Sequence, residues 1–154
     1  VVKQVIEHAV MKTMQPDLQE PVMQKFIEEN PSIQFAYVVD LIGKKITRNI
    51  TNIIDRAKYE NYGVGTDQSD REWFIKPLQT GKIHVTEFYI SKMTGALCIT
   101  VSAPIVNESD DMAGIFGVDI KFEDWVKRAE DMAEATQIAL KSEYEAKSKS
   151  DWRL

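Results

Sequence analysis

Three short runs between His84 and Ile120 constrain the fold more than any other part of the chain. His84-Val-Thr-Glu-Phe-Tyr-Ile90, Leu97-Cys-Ile-Thr-Val-Ser-Ala103 and Ala113-Gly-Ile-Phe-Gly-Val-Asp-Ile120 carry the β-branched and aromatic residues of strands. The middle run alternates large apolar with small or polar side chains, as a half-buried strand does. Lys92-Met-Thr-Gly95 and the polar Asn107-Glu-Ser-Asp-Asp111 separate them as tight turns, and Gly95 supplies a positive φ. Runs joined this closely form an antiparallel meander. Gly114 and Gly117 in the last run permit close approach of another chain segment.

The rest of the chain covers this meander. Val2, Val5, Ile6, Ala9, Val10 and Thr13 share one helical stripe, so a helix is expected over Val1 to Met14. Gln15-Pro16-Asp17 breaks it, and a second helix with Val22, Phe26 and Ile27 runs until Asn30-Pro31. Ile33-Gln-Phe-Ala-Tyr-Val-Val39 reads as a buried strand, turning through Asp40-Leu-Ile-Gly43 into a charged partner strand, Lys44 to Arg48. A short helix is expected over Thr51 to Tyr59, then the loop Tyr62 to Asp70 with Gly63 and Gly65. Ser69 or Asp70 is placed to cap a helix carrying Arg71, Trp73 and Phe74, which Pro77 and Gly81 end. From Lys121 the pattern is helical, with Trp125, Ala129, Met132 and Ala139 or Leu140 on one stripe, and Lys141 to Leu154 forms a fraying polar end. The class is α+β: a five-stranded antiparallel sheet flanked by helices, within one domain over residues 1–154. Residues 1–30 give the N-terminal helices, 33–120 the sheet core with the pocket, and 121–154 the C-terminal helix and tail.

Composition excludes several functions. A net charge of −5 argues against a nucleic-acid surface. No run approaches the ~20 apolar residues of a membrane span, and the charged Val1 to Met14 stretch is no signal peptide. The first residue is Val rather than Met, which points to an excised or processed segment. Cys98 is the single cysteine, so no internal disulfide forms, and it has no Cys/His companion for a metal. His8 and His84 lack zinc-ligand spacing, and Glu108, Asp110 and Asp111 lack that of a calcium loop. Neither a nucleophile elbow nor a phosphate-binding or cofactor fingerprint appears, so neither an enzyme nor a cofactor is expected. Asn49-Ile-Thr51 and Asn107-Glu-Ser109 match the glycosylation pattern.

Asp70-Arg71-Glu72-Trp73-Phe74 is the stretch that carries chemistry. A guanidinium matches a carboxylate through two parallel bonds, the indole adds a rigid wall and a donor, and a helix start favours an anion. The order of Val39-Asp40 with Gly43, Arg71-Glu-Trp-Phe74, Phe88-Tyr-Ile-Ser-Lys-Met-Thr-Gly95, Ser102-Ala-Pro-Ile105 and Gly114-Ile-Phe-Gly-Val-Asp-Ile120 resembles that of a Cache sensor domain. These are extracytoplasmic, PAS-like modules of bacterial and archaeal receptors, and the likeness covers about Ile33 to Asp124.

The resemblance implies a pocket in which Arg71 and Trp73 hold a ligand carboxylate, with Phe74 in a position usually held by Tyr. Asp119 matches the late Asp that holds an amino-acid ammonium, and Tyr89 is a further candidate ligand-binding residue. Three positions depart from the amino-acid-binding pattern: Thr66 replaces a Tyr, and Lys76 and Ser91 each replace an Asp. The expected ligand is therefore a plain carboxylate such as acetate, lactate, pyruvate or a small dicarboxylate, with Lys76 facing a second anionic group or Asp119. Structural roles stand beside these. Arg71 can pair with Asp70, Glu72 or Asp119, Asp119 can cap the last helix, and one of Trp73 and Phe74 can be core. The likeness further implies a homodimer through the N-terminal helix, an output domain outside this chain, and the extracytoplasmic part of a membrane receptor; a freestanding soluble sensor is the alternative. A ligand-free dimerisation module and an amino-acid sensor are the rival functions.

Overall fold

The computed structural model describes residues 1–151. β4 (Leu97–Val106) and β5 (Met112–Lys121) form a long antiparallel hairpin. The Asn107 amide oxygen accepts the backbone N–H of Ser109 and of Asp111, both at 3.0 Å, and so closes the loop on itself. β1 (Ile33–Asp40) pairs with the free edge of β5, while β2 (His84–Val85) and β3 (Tyr89–Ile90) both pair with β4. The result is the expected five-stranded antiparallel sheet, in the order β1-β5-β4-β2 with β3 beside β4.

Strand parity divides the interior in two. Ala36 and Val38 of β1, Ile99 and Ile105 of β4, and Phe116, Val118 and Ile120 of β5 face one side. There they meet α1 (Val2–Glu7) and α2 (Pro16–Glu29), with Phe26 edge-on to Phe116 at 5.9 Å between ring centroids. Phe35, Tyr37, Val39 and Ile115 face the other side, against Trp73 and Phe74 of α4 (Glu72–Thr80). Both faces are covered, so β1 is buried without interruption from Phe35 to Val39. Full burial of each such side chain contributes roughly 1.5–3 kcal/mol.

Several boundaries differ from expectation for identifiable reasons. The N-terminal stripe is divided: α1 ends at Glu7, the His8 imidazole accepts the Val10 N–H, and a 3-10 turn covers Met11–Thr13. This break brings Met11 into the core, and Val2, Val5 and Ile6 pack there too, so the stripe assigned to a dimer contact faces the chain's own sheet. Lys44 to Arg48 is no regular strand. It pairs with β1 through a single bridge at Val39–Lys45, with a second at Ala36–Ile50 just beyond it, because the Thr47 hydroxyl accepts the Val38 N–H that a ladder partner would take. The expected strand over His84 to Ile90 breaks in the same way: the Thr86 hydroxyl accepts the N–H of Thr100 at 3.0 Å.

The helix expected over Thr51 to Tyr59 shrinks to α3 (Arg56–Tyr59), because Thr51 ties its own stretch to the Gln34 carbonyl at 2.7 Å. Arg71 itself is the N-cap of α4, without a side-chain capping bond, while Asp67 accepts the Ser69 N–H. Pro77 lies inside α4, which ends at Gly81 in the left-handed region, φ 67°. α5 (Phe122–Asp151) is helical through the stretch where a fraying end is expected, and residues 152–154 of that stretch lie outside the described residues. The chain divides into two compact units at Phe122/Glu123. In the second, Trp125, Met132 and Leu140 of the expected stripe are exposed.

Candidate functional site

On the α4 face of the sheet lies a cavity of about 410 Å³. Its floor comes from strand parity and register: Tyr37 in β1 and Asp119 in β5 line it, and Thr100 in β4, directly across from Asp119, supports that carboxylate from the same side. Gly117 lies opposite Tyr37, and a Cβ there would stand 2.6 Å from the Tyr37 ring, so only glycine lets the ring lie flat across β5. Asp119 is 3% exposed. Its Oδ1 accepts the Tyr37 hydroxyl at 2.8 Å and the Thr100 hydroxyl at 2.7 Å. Since Thr100 donates its hydrogen to Asp119, Tyr89 donates in turn to Thr100, giving one chain from Tyr89 to Tyr37. Oδ2 takes no hydrogen bond among the described residues. Burial pushes the Asp119 carboxyl above its usual range, opposed by the Thr100 and Tyr37 bonds and by Lys45 and Arg71. Burial and the neighbouring Asp119 push the Tyr37 hydroxyl up as well.

Arg71 and Trp73 form the wall at the start of α4. The Arg71 guanidinium lies over the Tyr89 ring, 5.3 Å from its centroid, and forms no ion pair among the described residues. The structural pairing with Asp70, Glu72 or Asp119 is therefore not made. Trp73 stands edge-on to Tyr37, 5.2 Å between centroids, and also lines the cavity. Phe74 points into the core with Phe35 and Ile115 and does not line the cavity. Lys76 is on the exposed face of α4 and lines no cavity described, so it meets neither a second anionic group nor Asp119 there.

Thr66 and Ser91 line the cavity, with their hydroxyls engaged locally. Thr66 donates to Gly63 and accepts from Gln68, while Ser91 accepts the N–H groups of Met93 and Thr94 and closes the turn to Gly95.

The residue that sequence reasoning missed is Lys45. Expected on a solvated edge strand, it is 5% exposed, lines the cavity, and holds its ammonium 4.5 Å above the Tyr37 ring. Nζ also donates to the Tyr62 carbonyl at 3.4 Å. Burial lowers its pKa to about 8, against the upward pull of Asp119. One signal was present: Lys45, Thr47 and Asn49 alternate with Lys44, Ile46 and Arg48, and only the first three are buried. Asn49 donates to the carbonyls of Tyr59 and Tyr62, pinning the loop above Lys45, so this member of the two glycosylation patterns is enclosed. The Gly63 to Asp70 loop is strapped to the Gly43–Lys45 turn by the bonds Lys45 N–H to Thr66, Gly65 N–H to Lys45 and Gln68 N–H to Gly43.

Cys98 is buried beside Tyr89, with its thiol pushed up to about 11 chiefly by burial. No cluster of three or more metal-ligating side chains occurs among the described residues.

A five-stranded antiparallel sheet with helices on both faces and a charged cavity beneath a short helix is the architecture of a PAS-like sensor domain. The chain belongs to the methyl-accepting chemotaxis protein-like family of first PDC sensor domains, matched over residues 19–127. The ligand-binding domain of the Campylobacter jejuni chemoreceptor Tlp3, solved with L-valine, superposes with a TM-score of 0.62 at 21% identity, covering 79% of this chain and 48% of that one. The Pseudomonas fluorescens chemoreceptor CtaA, solved with L-serine, gives 0.60 at 15% identity, covering 82% and 50%. An extracellular ligand binding receptor from Desulfohalobium retbaense gives 0.63 at 16% identity, covering 77% and 21%. At such identities the likeness is one of fold. A Syntrophus aciditrophicus protein named Citrate (Re)-synthase is 78% identical over 151 residues, which are 98% of this chain and 24% of that protein. The chain thus spans about a quarter of that relative's length.

Proposed function

We propose that the domain senses a small organic anion whose carboxylate is held by Arg71 and Trp73. The observation that carries this is the half-buried Arg71 guanidinium, which lines the cavity and has no carboxylate partner among the described residues. Charge-assisted bonds to a planar fork are among the stronger polar contacts a small ligand can make. The role is binding rather than catalysis: the lining serine is engaged in its own turn, and the lysine sits on an aromatic face. An extracytoplasmic position in a receptor, with output elsewhere in a longer protein, accords with the family. No helix among the described residues is long and apolar enough to cross a membrane.

Calorimetry with acetate, lactate, pyruvate and small dicarboxylates tests the proposal. Saturable binding lost in Arg71→Ala supports it, and absence of binding across the panel contradicts it. An amino-acid ligand is the second reading, favoured by the cavity-lining Asp119 with its open Oδ2 and by the amino acids in the neighbours' structures.

A further inference from the structure

The cavity is lined by a buried lysine, Lys45, and a buried carboxylate, Asp119, which share Tyr37 as a neighbour. Three charged side chains lining it are withdrawn from solvent: Lys45 and Asp119, both buried, and Arg71, half-buried. The remaining charged groups at its lining, Asp67, Asp70 and Lys92, are exposed and solvated. The Lys45 ammonium rests on the ring of Tyr37, whose hydroxyl bonds Asp119, so one ring links the cation on its face to the carboxylate at its hydroxyl. Its position is fixed by the Tyr62 carbonyl, which Asn49 holds in place. Lys45 and Asp119 offset each other, and the enclosed charge that remains is that of Arg71.

We propose that Lys45 is the specificity-determining residue of this cavity: as a built-in ammonium beside Asp119, it restricts the ligand to monocarboxylates with an uncharged polar substituent, such as 2-hydroxy acids, and rejects α-amino acids. This rests on the carboxylate reading of Arg71 and names the ligand class within it. An α-ammonium entering here would add a second cation against a single enclosed carboxylate, whereas a hydroxyl in the same place can bond either to the open Oδ2 or to the Lys45 amine. A second ligand carboxylate would face Asp119 with Lys45 already engaged.

Matched pairs that differ only at this group provide the test: L-lactate against L-alanine, and 2-hydroxyisovalerate against L-valine, with succinate as the dianion. Isothermal titration is run on the wild-type chain, Lys45→Met and Lys45→Arg, each checked by thermal melting. The wild type should favour the hydroxy acid by about tenfold or more in both pairs, the equivalent of one pKa unit of electrostatic discrimination. It should also bind succinate more weakly than lactate. Lys45→Met should lose or reverse the preference, and Lys45→Arg should keep it. Equal binding of the two members by the wild type, or an unchanged preference in a folded Lys45→Met, overturns the proposal while leaving the carboxylate reading intact. If Lys45→Met does not fold, the wild-type ratios and Lys45→Arg decide. Binding of no carboxylate by the folded wild type overturns the underlying reading, and this inference with it.

Discussion

Lys45 and Asp119 show most clearly how single residues acquire a role that their type alone does not predict. Burial moves the lysine down from 10.5 to about 8. A lysine whose folded pKa is lowered leaves the folded state less protonated than the unfolded one between those two values. Stability should therefore rise as pH climbs from about 8 toward 10.5, and this rise should be absent in Lys45→Met; urea unfolding across that range measures it. Anion binding should weaken over the same rise, as the ammonium becomes neutral. Tyr37→Phe removes a hydrogen bond to a buried carboxylate and should cost about 1–3 kcal/mol, read by the same unfolding experiment. That Arg71 and Trp73 stand at the start of α4 was legible in the helix-start pattern, whereas Asp119 was singled out only through the family resemblance. The place of Lys76 was not legible, because α4 begins at Glu72 and turns residues 73, 74 and 77 inward, leaving 76 in solvent. Lys45 was hidden for a different reason: the alternation around it marks an inward side, but its burial is completed by a loop from residues 62–70 folding over it, a contact that the alternation does not encode.

At the level of elements, β-branched and aromatic content revealed β1 and β5, period-2 alternation revealed β4, and turn residues separated the strands of the meander. Where these signals failed, a threonine hydroxyl had replaced a ladder partner, at Thr47 and Thr86, and interrupted a strand that composition favoured. Glycine determines two other junctions. Gly43, at φ 92°, lies against Ser69, and a Cβ there would be 2.8 Å from backbone atoms of that residue. Gly43→Ala should cost at least about 1–2 kcal/mol from the left-handed conformation alone. It should also raise hydrogen exchange in the Gly63 to Asp70 loop. Gly117→Ala should displace the Tyr37 ring, so that ligand affinity falls together with melting temperature.

On the scale of the whole molecule, the sheet separates two tasks. One face packs α1 and α2 into an apolar core, and the other carries a smaller apolar cluster beside the charged cavity. Polar and ionised groups are enclosed on the second face at a cost in stability that the proposed anion would offset. A ligand at a hundred times its dissociation constant should add about 2.7 kcal/mol of stability by mass action. It should also slow exchange of the loop amides strapped to Lys45. The central claim is that Arg71 holds a ligand carboxylate, and titration calorimetry of lactate into the wild-type chain and into Arg71→Ala tests it most directly. Saturable binding to the wild type, with affinity reduced about tenfold or more in a variant that melts at a similar temperature, is the predicted result. Equal affinity in the two proteins would contradict it.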